Sequence, residues 1–477
     1  MKLKDLIKKL SYLSTKGSLD VEVTDLSQSL NKKGKNTLLF CYKGAVHDTH
    51  DFCKELKSGD YACLVVERFL DLPITQILVK NTRNIMPKVC NTFFGNVTKK
   101  LKFIGITGTN GKTTTSSLVY NILQNANMPC ALVGTNGIKY AGKFFEPHLT
   151  SPDTVDFFYY LYDMALCGIK YVVMEVSAHA LFLNKYKGVH FDISLFTNLT
   201  QDHLDFFCSM GEYAKAKLKL LQKPFSKFAI INIDDRYGEM FSHIIKKPFT
   251  TFGLHNPSDN FAMDINYSFS STHFIANVFD NVFEINTPLI CEFNVYNTLG
   301  AMCIAKKLGV DNDIIFKTIS NPDSILGRMN VYKLKNGAYA IIDYAHTPDG
   351  MEKVLSSIKN IAKKRIITLF GCGGDRDRLK RPKMGKIASA LSDYVFVTSD
   401  NPRLESPSKI IANICDGITL KNYEVEENRT LAIQKAVQFS QSGDIILILG
   451  KGEENYIDIN GTKIPYSDRE SISPFIN

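Results

Sequence analysis

The stretch that most constrains how this chain can fold is LKFIGITGTNGKTTTSS, which runs from Leu101 to Ser117. It passes from an apolar strand through a glycine-broken turn into a hydroxyl-rich helix start. Glycine lets backbone N–H groups wrap closely around phosphate oxygens, a lysine neutralises terminal phosphates, and a hydroxyl can hold Mg²⁺. The residues that supply these groups, in chain order, are Gly108, Gly111, Lys112 and Thr113. The stretch therefore predicts a phosphate-binding loop for ATP.

The loop is a compact variant rather than the general Walker form. The general pattern has a glycine five positions before its Gly-Lys pair, and Ile106 occupies that position here. A simple turn would account for either glycine of the loop alone. The strand, the GTNGKTT segment and the helix start together favour the nucleotide site.

Length and composition indicate a multidomain protein. A chain of 477 residues, 44% of them hydrophobic and 22% charged, is long for one core and has enough apolar material for two or three domains. Its apolar runs are too short to span a bilayer, and the start MKLKDLIKKL is typical of an amphipathic helix rather than a signal peptide. We expect a cytoplasmic protein without membrane insertion. The eleven cysteines are scattered singly, which favours free thiols in a reducing compartment over disulfides or a zinc site.

The formal net charge of +9 could indicate a nucleic-acid partner. The lysines are dispersed, however, and no aromatic-interleaved basic motif accompanies them. A highly anionic small substrate would favour the same sign of charge. We therefore expect no nucleic-acid partner.

Strand and helix patterns alternate along the chain, which predicts an α/β protein of three domains. We expect a small N-terminal α/β domain over residues 1–99, a central doubly wound sheet carrying the phosphate loop over 100–326, and a C-terminal Rossmann-like α/β domain over 327–477. The second boundary rests on NPDSILG, Asn321–Gly327, where the periodicity breaks. Before it, FNVYNTLGAMCIAKKLG (Phe293–Gly309) has the pattern of an amphipathic helix.

Polar and titratable residues follow two apolar runs of the central domain. The runs are YVVMEVSAHAL (Tyr171–Leu181) and HFDISLFTNLTQDHLDF (His190–Phe206), both interpreted as strands. Functional groups of doubly wound sheets gather at the carboxyl ends of strands. Glu175 and His203 are therefore expected near the nucleotide, where they could hold Mg²⁺. Each taken alone could equally be a hydrogen-bonded structural group.

The helical segment GEYAKAKLKL supplies three lysines. Helical spacing puts Lys215 and Lys219 on one face and Lys217 roughly opposite. For each lysine taken alone, a solvated surface charge is the simple interpretation.

Two loops that follow C-terminal strands, GCGGDRDRLKRP and DNPR, carry clustered guanidinium and carboxylate groups. A guanidinium group grips a carboxylate or phosphate by paired hydrogen bonds. In DNPR, Asp400 and Asn401 can bind an ammonium group while Arg403 meets a carboxylate. The two loops predict a site for a zwitterionic amino acid, with charge-complementary surface loops as the alternative.

Ten motifs, in this order, make the chain similar to a known family over nearly its whole length. They are GTNGKTT, MEVSAHAL, FTNLTQDHLDF, YAKAK, FNVYN, GRM, DYAHTP, GCGGDRDRLKRPKMG, DNPR and GKGEE. With them the chain resembles the Mur ligases, in particular those that add the third residue of the peptidoglycan stem. The resemblance implies that ATP phosphorylates the terminal carboxylate of UDP-N-acetylmuramoyl-L-alanyl-D-glutamate, with Mg²⁺, and that an incoming amine attacks the acyl phosphate.

The resemblance also implies roles for individual residues. The ATP loop comprises Gly108, Thr109, Asn110, Gly111, Lys112, Thr113 and Thr114, and further nucleotide and domain-closure positions are Asn294, Asn297, Arg328, Asp343 and His346. Catalysis is assigned to Lys112, Glu175, His203 and a carbamylated Lys217, and Mg²⁺ to Thr113, Glu175, His203 and that carbamate. Acceptor contacts are Ser29 (with Ser27 as a competitor), Ala45, Val46, His47, Thr150, Ser151, Ser177 and Lys185. The amino-acid pocket is Arg376, Asp400, Asn401, Pro402, Arg403, Gly450 and Glu454.

The implied amino acid is meso-diaminopimelate rather than L-lysine, because the Arg403 guanidinium would bind the second carboxylate of meso-diaminopimelate and repel the bare ammonium end of L-lysine. Departures from the family pattern are Lys185 for an arginine, Phe207 and Glu453 for histidines, and Ala178 for a serine. A monomer is expected. Three alternatives stay open: the same reaction with L-lysine, a ligase like folylpolyglutamate synthetase, and an ATP-driven switch protein without a ligation product.

Overall fold

The computed structural model of the chain describes residues 1–44, 47–146, 149–323, 325 and 327–477. It confirms the predicted α/β class, because strands and helices alternate along the chain and most strands within each main sheet are parallel. Among the helices of these residues, none combines the length and apolar character needed to cross a bilayer.

The first sheet lies in the N-terminal part of the chain and has the strand order β1-β5-β4-β3-β2. Strand β1 is antiparallel to β5, and the other pairs are parallel. The elements are α1 (Leu3–Ile7), β1 (Ser14–Lys16), β2 (Asp25–Ser27), β3 (Gly34–Phe40), β4 (Tyr61–Val66), β5 (Thr75–Leu78) and α2 (Thr82–Phe93), with short 3₁₀ turns at Thr49–Phe52 and Val97–Lys99. Apolar side chains of α1, β3 and α2 join those of the central part in one continuous buried cluster, so this sheet packs firmly against its neighbour.

The central sheet has the order β16-β15-β14-β13-β12-β11-β6-β10-β7-β8-β9. Its strands are β6 (Lys102–Thr107), β7 (Cys130–Gly134), β8 (Gly137–Tyr140), β9 (Lys143–Phe145), β10 (Tyr171–Glu175), β11 (Phe191–Phe196), β12 (Ser226–Asn232), β13 (Phe249–Gly253), β14 (Asn260–Tyr267), β15 (Thr272–Val278) and β16 (Asn281–Thr287). Its helices are α3 (Lys112–Asn125), α4 (Thr154–Leu166), α5 (Ala178–Phe182), α6 (Leu204–Phe207), α7 (Met210–Leu221), α8 (Arg236–Ile244), α9 (Glu292–Lys307) and α10 (Asn312–Ser320).

The register of the central strands brings the functional loops together. Glu175 at the end of β10 lies beside Ile106 of β6, and Phe196 at the end of β11 lies beside Thr107. Because these strands are parallel, the segments that follow them leave the sheet at the same edge. The phosphate loop, Glu175 and the segment that contains His203 therefore start from adjacent strand ends.

The C-terminal sheet has the order β17-β18-β22-β19-β20-β21, parallel except for β17. Its elements are β17 (Asn330–Lys333), β18 (Tyr339–Asp343), α11 (Pro348–Ile361), β19 (Ile366–Phe370), α12 (Lys380–Leu391), β20 (Tyr394–Val397), α13 (Pro407–Cys415), β21 (Tyr423–Val425), α14 (Arg429–Phe439) and β22 (Ile445–Leu449). After β22 follow a separate two-stranded hairpin, β23 (Tyr456–Ile459) and β24 (Thr462–Pro465), then α15 (Asp468–Ile472) and a 3₁₀ turn at Ser473–Phe475. Buried apolar clusters cover both faces of this sheet.

Three interpretations of the sequence are wrong in detail. The strand in HFDISLFTNLTQDHLDF covers only Phe191–Phe196, and the last residues of that run belong to α6, which begins at Leu204. The strand in YVVMEVSAHAL ends at Glu175, because the Ser177 hydroxyl accepts a hydrogen bond from the Ala180 N–H and starts α5. Helix α9 is not amphipathic. Nearly every residue from Asn294 to Ala305 is buried, since the helix packs against α3 on one side and the central sheet on the other.

A buried ion pair joins α14 to α15. The Arg429 guanidinium donates to both carboxylate oxygens of Asp468 at 2.7 and 2.8 Å, and both side chains are fully buried. Tyr466 donates its hydroxyl to the same carboxylate at 2.8 Å. The pair therefore ties the end of the chain to the C-terminal sheet.

Asp468→Asn should destabilise the protein strongly, because it leaves a buried guanidinium without its counter-ion. We expect a loss of about 3–5 kcal/mol in the free energy of unfolding of the C-terminal part, measured by urea titration with circular dichroism. The matched control is Glu212→Gln in the exposed Lys215–Glu212 pair, which should cost less than about 1 kcal/mol. Equal losses in the two variants would contradict the account.

Candidate active site

A cavity of about 710 Å³ lies between the carboxyl edge of the central sheet and the loops of the C-terminal sheet. Most of the predicted site residues line it: Thr109, Asn110, Gly111, Lys112, Thr113, Thr114, Thr150, Glu175, His203, Asn294, Asn297, Arg328, Asp343, His346, Arg376, Asp400, Asn401, Arg403, Gly450 and Glu454. The phosphate loop and the predicted amino-acid pocket therefore open into one space.

The phosphate loop is shaped by glycines that no other residue can replace without strain. Gly108 has φ 152°, and a Cβ there would lie 1.8 Å from the Thr197 hydroxyl. Gly111 has φ 84°, and a Cβ would lie 2.3 Å from Asn297 Oδ1. Gly111 is the N-cap of α3, and no side chain of the described residues caps that helix. The first-turn N–H groups of α3 are thus available to an anion.

Lys112 and Lys217 converge on one backbone carbonyl. The Lys112 Nζ donates to the carbonyl oxygens of Gly108 and Thr109 at 2.9 and 2.8 Å. The Lys217 Nζ donates to the same Gly108 oxygen at 2.6 Å. Burial lowers the pKa of Lys112. Burial, and then the charge of Lys112, lower the pKa of Lys217 far below its usual value.

The exposure of the α7 lysines decides between the two interpretations of that helix. The side chain of Lys215 is 74% exposed, as expected for a solvated charge. Lys217 is only 1% exposed, and its Nζ lies 4.7 Å from the centre of the Tyr213 ring. The simple surface interpretation is therefore wrong for Lys217, which points inward to the phosphate loop.

Glu175 gathers oxygen and nitrogen donors at the end of β10. Its Oε1 accepts from the Thr135 N–H at 2.8 Å, and its Oε2 accepts from the hydroxyls of Thr113 and Thr135 at 3.0 and 3.2 Å. The Arg328 guanidinium donates to the Thr113 hydroxyl at 3.0 Å. A carboxylate beside hydroxyl oxygens is the donor set that a hard divalent cation prefers.

His203 adds a neutral imidazole to the cavity wall. Burial lowers its pKa to about 3, although Asp202, whose Oδ2 lies 3.3 Å from Nε2, acts in the opposite direction. The ring is therefore uncharged at neutral pH and keeps a free nitrogen lone pair. Among the described residues no group of three or more His, Cys, Asp or Glu forms a metal site. A cation here would also need the Thr113 hydroxyl or a modified Lys217.

The remaining nucleotide positions brace the loop and join the two sheets. Asn297 accepts from the Thr115 hydroxyl at 3.4 Å, which ties α9 to α3, and donates to Asn294 Oδ1 of its own helix at 3.1 Å. Asn110 Nδ2 donates to Asp349 Oδ2 of α11 at 3.0 Å. With the Arg328 contact to Thr113, this bond connects the C-terminal part directly to the phosphate loop.

Asp343 and His346 belong to the segment that follows β18. The Asp343 carboxylate accepts from the N–H groups of Met329 and Ala345 at 3.0 and 2.9 Å, and burial raises its pKa. Burial and the nearby Lys380 lower the pKa of His346 to about 4. The carboxylate thus orders the chain around Arg328, and the imidazole is neutral at physiological pH.

The predicted amino-acid pocket has a cationic side and an anionic side. Arg403 has φ 52° and donates from Nη1 to the Gly374 carbonyl at 2.7 Å. Asn401 donates to Glu454 Oε2 at 2.8 Å. Arg376 is exposed and contacts the Asp375 carbonyl at 3.5 Å. Pro402 follows Asn401 but does not line the cavity.

Sequence reasoning missed two residues of this pocket. Tyr344 donates its hydroxyl to Glu454 Oε1 at 3.4 Å and lies under the Arg328 guanidinium. Lys451 is fully buried and donates to both Asn401 and Glu454. The signal for Lys451 was present in GKGEE, where one glycine separates the lysine from the buried strand β22.

The predicted acceptor residues occupy two places. Near Glu175, the Ser151 hydroxyl donates to the Glu175 carbonyl and accepts from the Ser177 N–H, both at 3.0 Å, and Thr150 lines the cavity. Lys185 pairs with Asp153 at 2.6 Å outside the cavity. In the N-terminal part, Ser27 is buried at the end of β2 and Ser29 and His47 are exposed between strands, while Ala45 and Val46 lie outside the described residues.

Comparison with known proteins identifies the family. Residues 106–305 match the Mur ligase middle domain, and residues 327–452 match the domain described as Mur ligase, glutamate ligase domain. The chain is 38% identical to the UDP-N-acetylmuramoyl-L-alanyl-D-glutamate–2,6-diaminopimelate ligase 1 of Clostridium acetobutylicum, over 100% of this chain and 99% of that protein.

Solved structures agree with the sequence comparison. A UDP-N-acetylmuramoyl-L-alanyl-D-glutamate–2,6-diaminopimelate ligase superposes with a TM-score of 0.71 at 28% identity, covering 99% of this chain and 98% of that chain. A Mycobacterium tuberculosis folylpolyglutamate synthase complexed with ADP and AMPPCP has a TM-score of 0.63 at 15% identity, covering 76% of this chain and 92% of that one, and shares the fold alone. The full-length similarity and the two matched domains show that this chain belongs to the Mur ligase family.

Proposed function

We propose that this chain is an ATP-dependent ligase that adds meso-2,6-diaminopimelate to UDP-N-acetylmuramoyl-L-alanyl-D-glutamate in peptidoglycan biosynthesis. The observation that carries the proposal is the single cavity lined by both Lys112 of the phosphate loop and Arg403 of the amino-acid pocket. Full-length relatives at 35–38% identity are named for this reaction. They favour it over a folylpolyglutamate-type ligase or an ATP-driven switch.

The chemistry requires that the acceptor carboxylate be activated. A free carboxylate is a poor acyl donor because its leaving group would be oxide. Transfer of the γ-phosphoryl group to the carboxylate gives an acyl phosphate, from which an amine displaces phosphate. The N–H groups of α3 and the Lys112 ammonium would bind the phosphates, and Arg328, already 3.0 Å from Thr113, would face the charge that develops.

The residues present fit Mg²⁺, which would neutralise phosphate charge when bound. Thr113, Glu175, His203 and a carbamate on Lys217 would hold it. A neutral amine is the form that adds CO₂, and the lowered pKa of Lys217 favours that form. The addition converts Lys–NH₂ and CO₂ into Lys–NH–COO⁻ and a proton. An ammonium that would repel a cation thereby becomes an anion that attracts one.

The amino acid would bind between Arg403 and the Asp400, Asn401 and Glu454 side chains. A guanidinium group binds a second carboxylate by paired hydrogen bonds. L-lysine has a hydrogen where meso-diaminopimelate has its second carboxylate, so its distal ammonium would face Arg403 with no carboxylate to offset the repulsion. The proposal therefore favours meso-diaminopimelate over L-lysine.

We assign the acceptor's uridine end to residues 1–99, ATP to residues 100–326 and the amino acid to residues 327–477. Ser29 and His47 of the first part would contact the nucleotide of the acceptor, and Thr150, Ser151 and Ser177 its peptide end. Lys185 keeps the positive charge of an arginine but lacks its bidentate geometry. We further propose that the protein acts as a cytoplasmic monomer.

Phosphate release from ATP should require both the acceptor and meso-diaminopimelate, with L-lysine a poor substitute.

Arg403→Ala should lower kcat/KM for meso-diaminopimelate by about 100-fold, the size expected when a charge-assisted bidentate contact is lost, and leave the KM for ATP within about twofold. Coupled phosphate release and mass spectrometry of the product measure both effects.

The control for this experiment is Arg236→Ala, at the exposed start of α8, which should keep wild-type kinetics. Preference of the wild type for L-lysine would overturn the proposed specificity. Equal ATP hydrolysis without either substrate would overturn the ligase and support a switch protein.

Lys217→Met should lower kcat by about 100- to 1000-fold, as when one preorganised group that stabilises the transition state is removed. The matched control is Lys215→Met on the same helix, which should retain full activity because its side chain is 74% exposed. ¹³C-labelled bicarbonate should give a carbamate signal in the wild type that the Lys217 variant lacks. Full activity of Lys217→Met would refute the assigned role.

A further inference from the structure

Lys451 lies under the amino-acid pocket, directly after β22 and Gly450. Its side chain is fully buried. The Nζ donates to Asn401 Oδ1 and to Glu454 Oε2, each at 3.1 Å, and lies 3.5 Å from Asp400 Oδ1. One ammonium group therefore contacts three side chains assigned to the pocket.

These contacts fix the orientation of Asn401. Its Oδ1 accepts from Lys451 and also from the Asp458 N–H at 2.9 Å, and its Nδ2 donates to Glu454 at 2.8 Å. An amide turned by 180° would present N–H groups to two donors. That arrangement would lose the bonds from Lys451 and from the Asp458 N–H, so the amide keeps one orientation. Its Nδ2 then holds the Glu454 carboxylate in one position relative to the cavity.

Charge explains why a cation is needed at this place. Asp400 and Glu454 bring two carboxylates to a largely buried floor, and Lys451 supplies one positive charge. Burial opposes ionisation of Asp400, but Lys451 and then Arg429 hold its pKa below the usual value. The buried Arg429 is itself paired with Asp468 at 2.7 Å. The floor thus keeps one net negative charge, which matches a single substrate ammonium group.

We propose that Lys451 is a positioning residue that sets the affinity of the pocket for the amino acid by orienting Asn401 and Glu454 and balancing Asp400. It acts through these side chains, because its buried Nζ does not reach the cavity. The inference rests on the proposed function, since it concerns the same amino-acid pocket.

Lys451→Met tests this inference in the full-length enzyme. We expect the KM for meso-diaminopimelate to rise about 10- to 100-fold, while the KM for ATP and for the acceptor change less than about twofold. A purely structural role would instead lower the fraction of active enzyme, reducing kcat and leaving each KM unchanged. A rise in the KM for meso-diaminopimelate, rather than a fall in kcat, therefore identifies a positioning role.

The matched control is Lys247→Met, because Lys247 is also a buried lysine and its Nζ has no hydrogen-bond partner among the described residues. Its KM values should equal those of the wild type. If Lys451→Met does not fold, Lys451→Gln keeps an N–H donor while removing the charge, and it should still raise the KM for meso-diaminopimelate several-fold.

Two negative results can be told apart. An unchanged KM for meso-diaminopimelate in a folded Lys451 variant overturns the positioning role and leaves the ligase intact. A wild-type enzyme that forms no product with any amino acid overturns the proposed function, and the inference with it. If the wild type uses L-lysine, the same KM comparison is made with that amino acid.

Discussion

Two lysine side chains compete for one carbonyl oxygen, and the rest of the active site depends on how their charges are balanced. Lys112 and Lys217 both donate to Gly108, at 2.9 and 2.6 Å. Burial lowers the pKa of Lys217 far below its usual value, and repulsion from the nearby Lys112 ammonium lowers it further. An arriving phosphate would draw Lys112 away, and a carbamate would reverse the charge of Lys217. The charges around the phosphate loop therefore favour the binding of an anion.

The fold supplies this constraint through the parallel register of β6, β10 and β11. Glu175 and Phe196 end level with the start of the phosphate loop, and Gly108 passes so close to Thr197 that no Cβ fits. The C-terminal sheet then closes the cavity from the other side. Arg328 and Asp349 reach the loop by direct hydrogen bonds, so the geometry of the phosphate site depends on where the C-terminal part lies.

Much of this arrangement could be predicted from the sequence, because local signals carry it. The GTNGKTT segment needs no tertiary information, and the ordered motifs point to the Mur ligases, a resemblance that the comparisons confirm. The individual roles of the site residues stay predictions, and those of Ala45 and Val46 concern positions outside the described residues.

What the sequence did not show depends on packing between distant segments. Lys217 looks like Lys215 in sequence, and only the position of α7 against the phosphate loop buries one and exposes the other. Lys451 could not be linked to Asn401, because its contacts join loops 50 residues apart. Helix α9 was misjudged for a similar reason: a helix that packs on two sides loses the polar face by which amphipathic helices are recognised.

The central claim is that ATP phosphorylates the acceptor carboxylate and that an amine attacks the resulting acyl phosphate in the same cavity. The most direct test traces a labelled oxygen atom of that carboxylate. The acceptor would carry ¹⁸O in its terminal carboxylate, and the phosphate released during ligation would be analysed by mass spectrometry. An acyl-phosphate route predicts that each released phosphate carries one oxygen from the acceptor. Phosphate without the label, alongside normal product formation, would contradict the account.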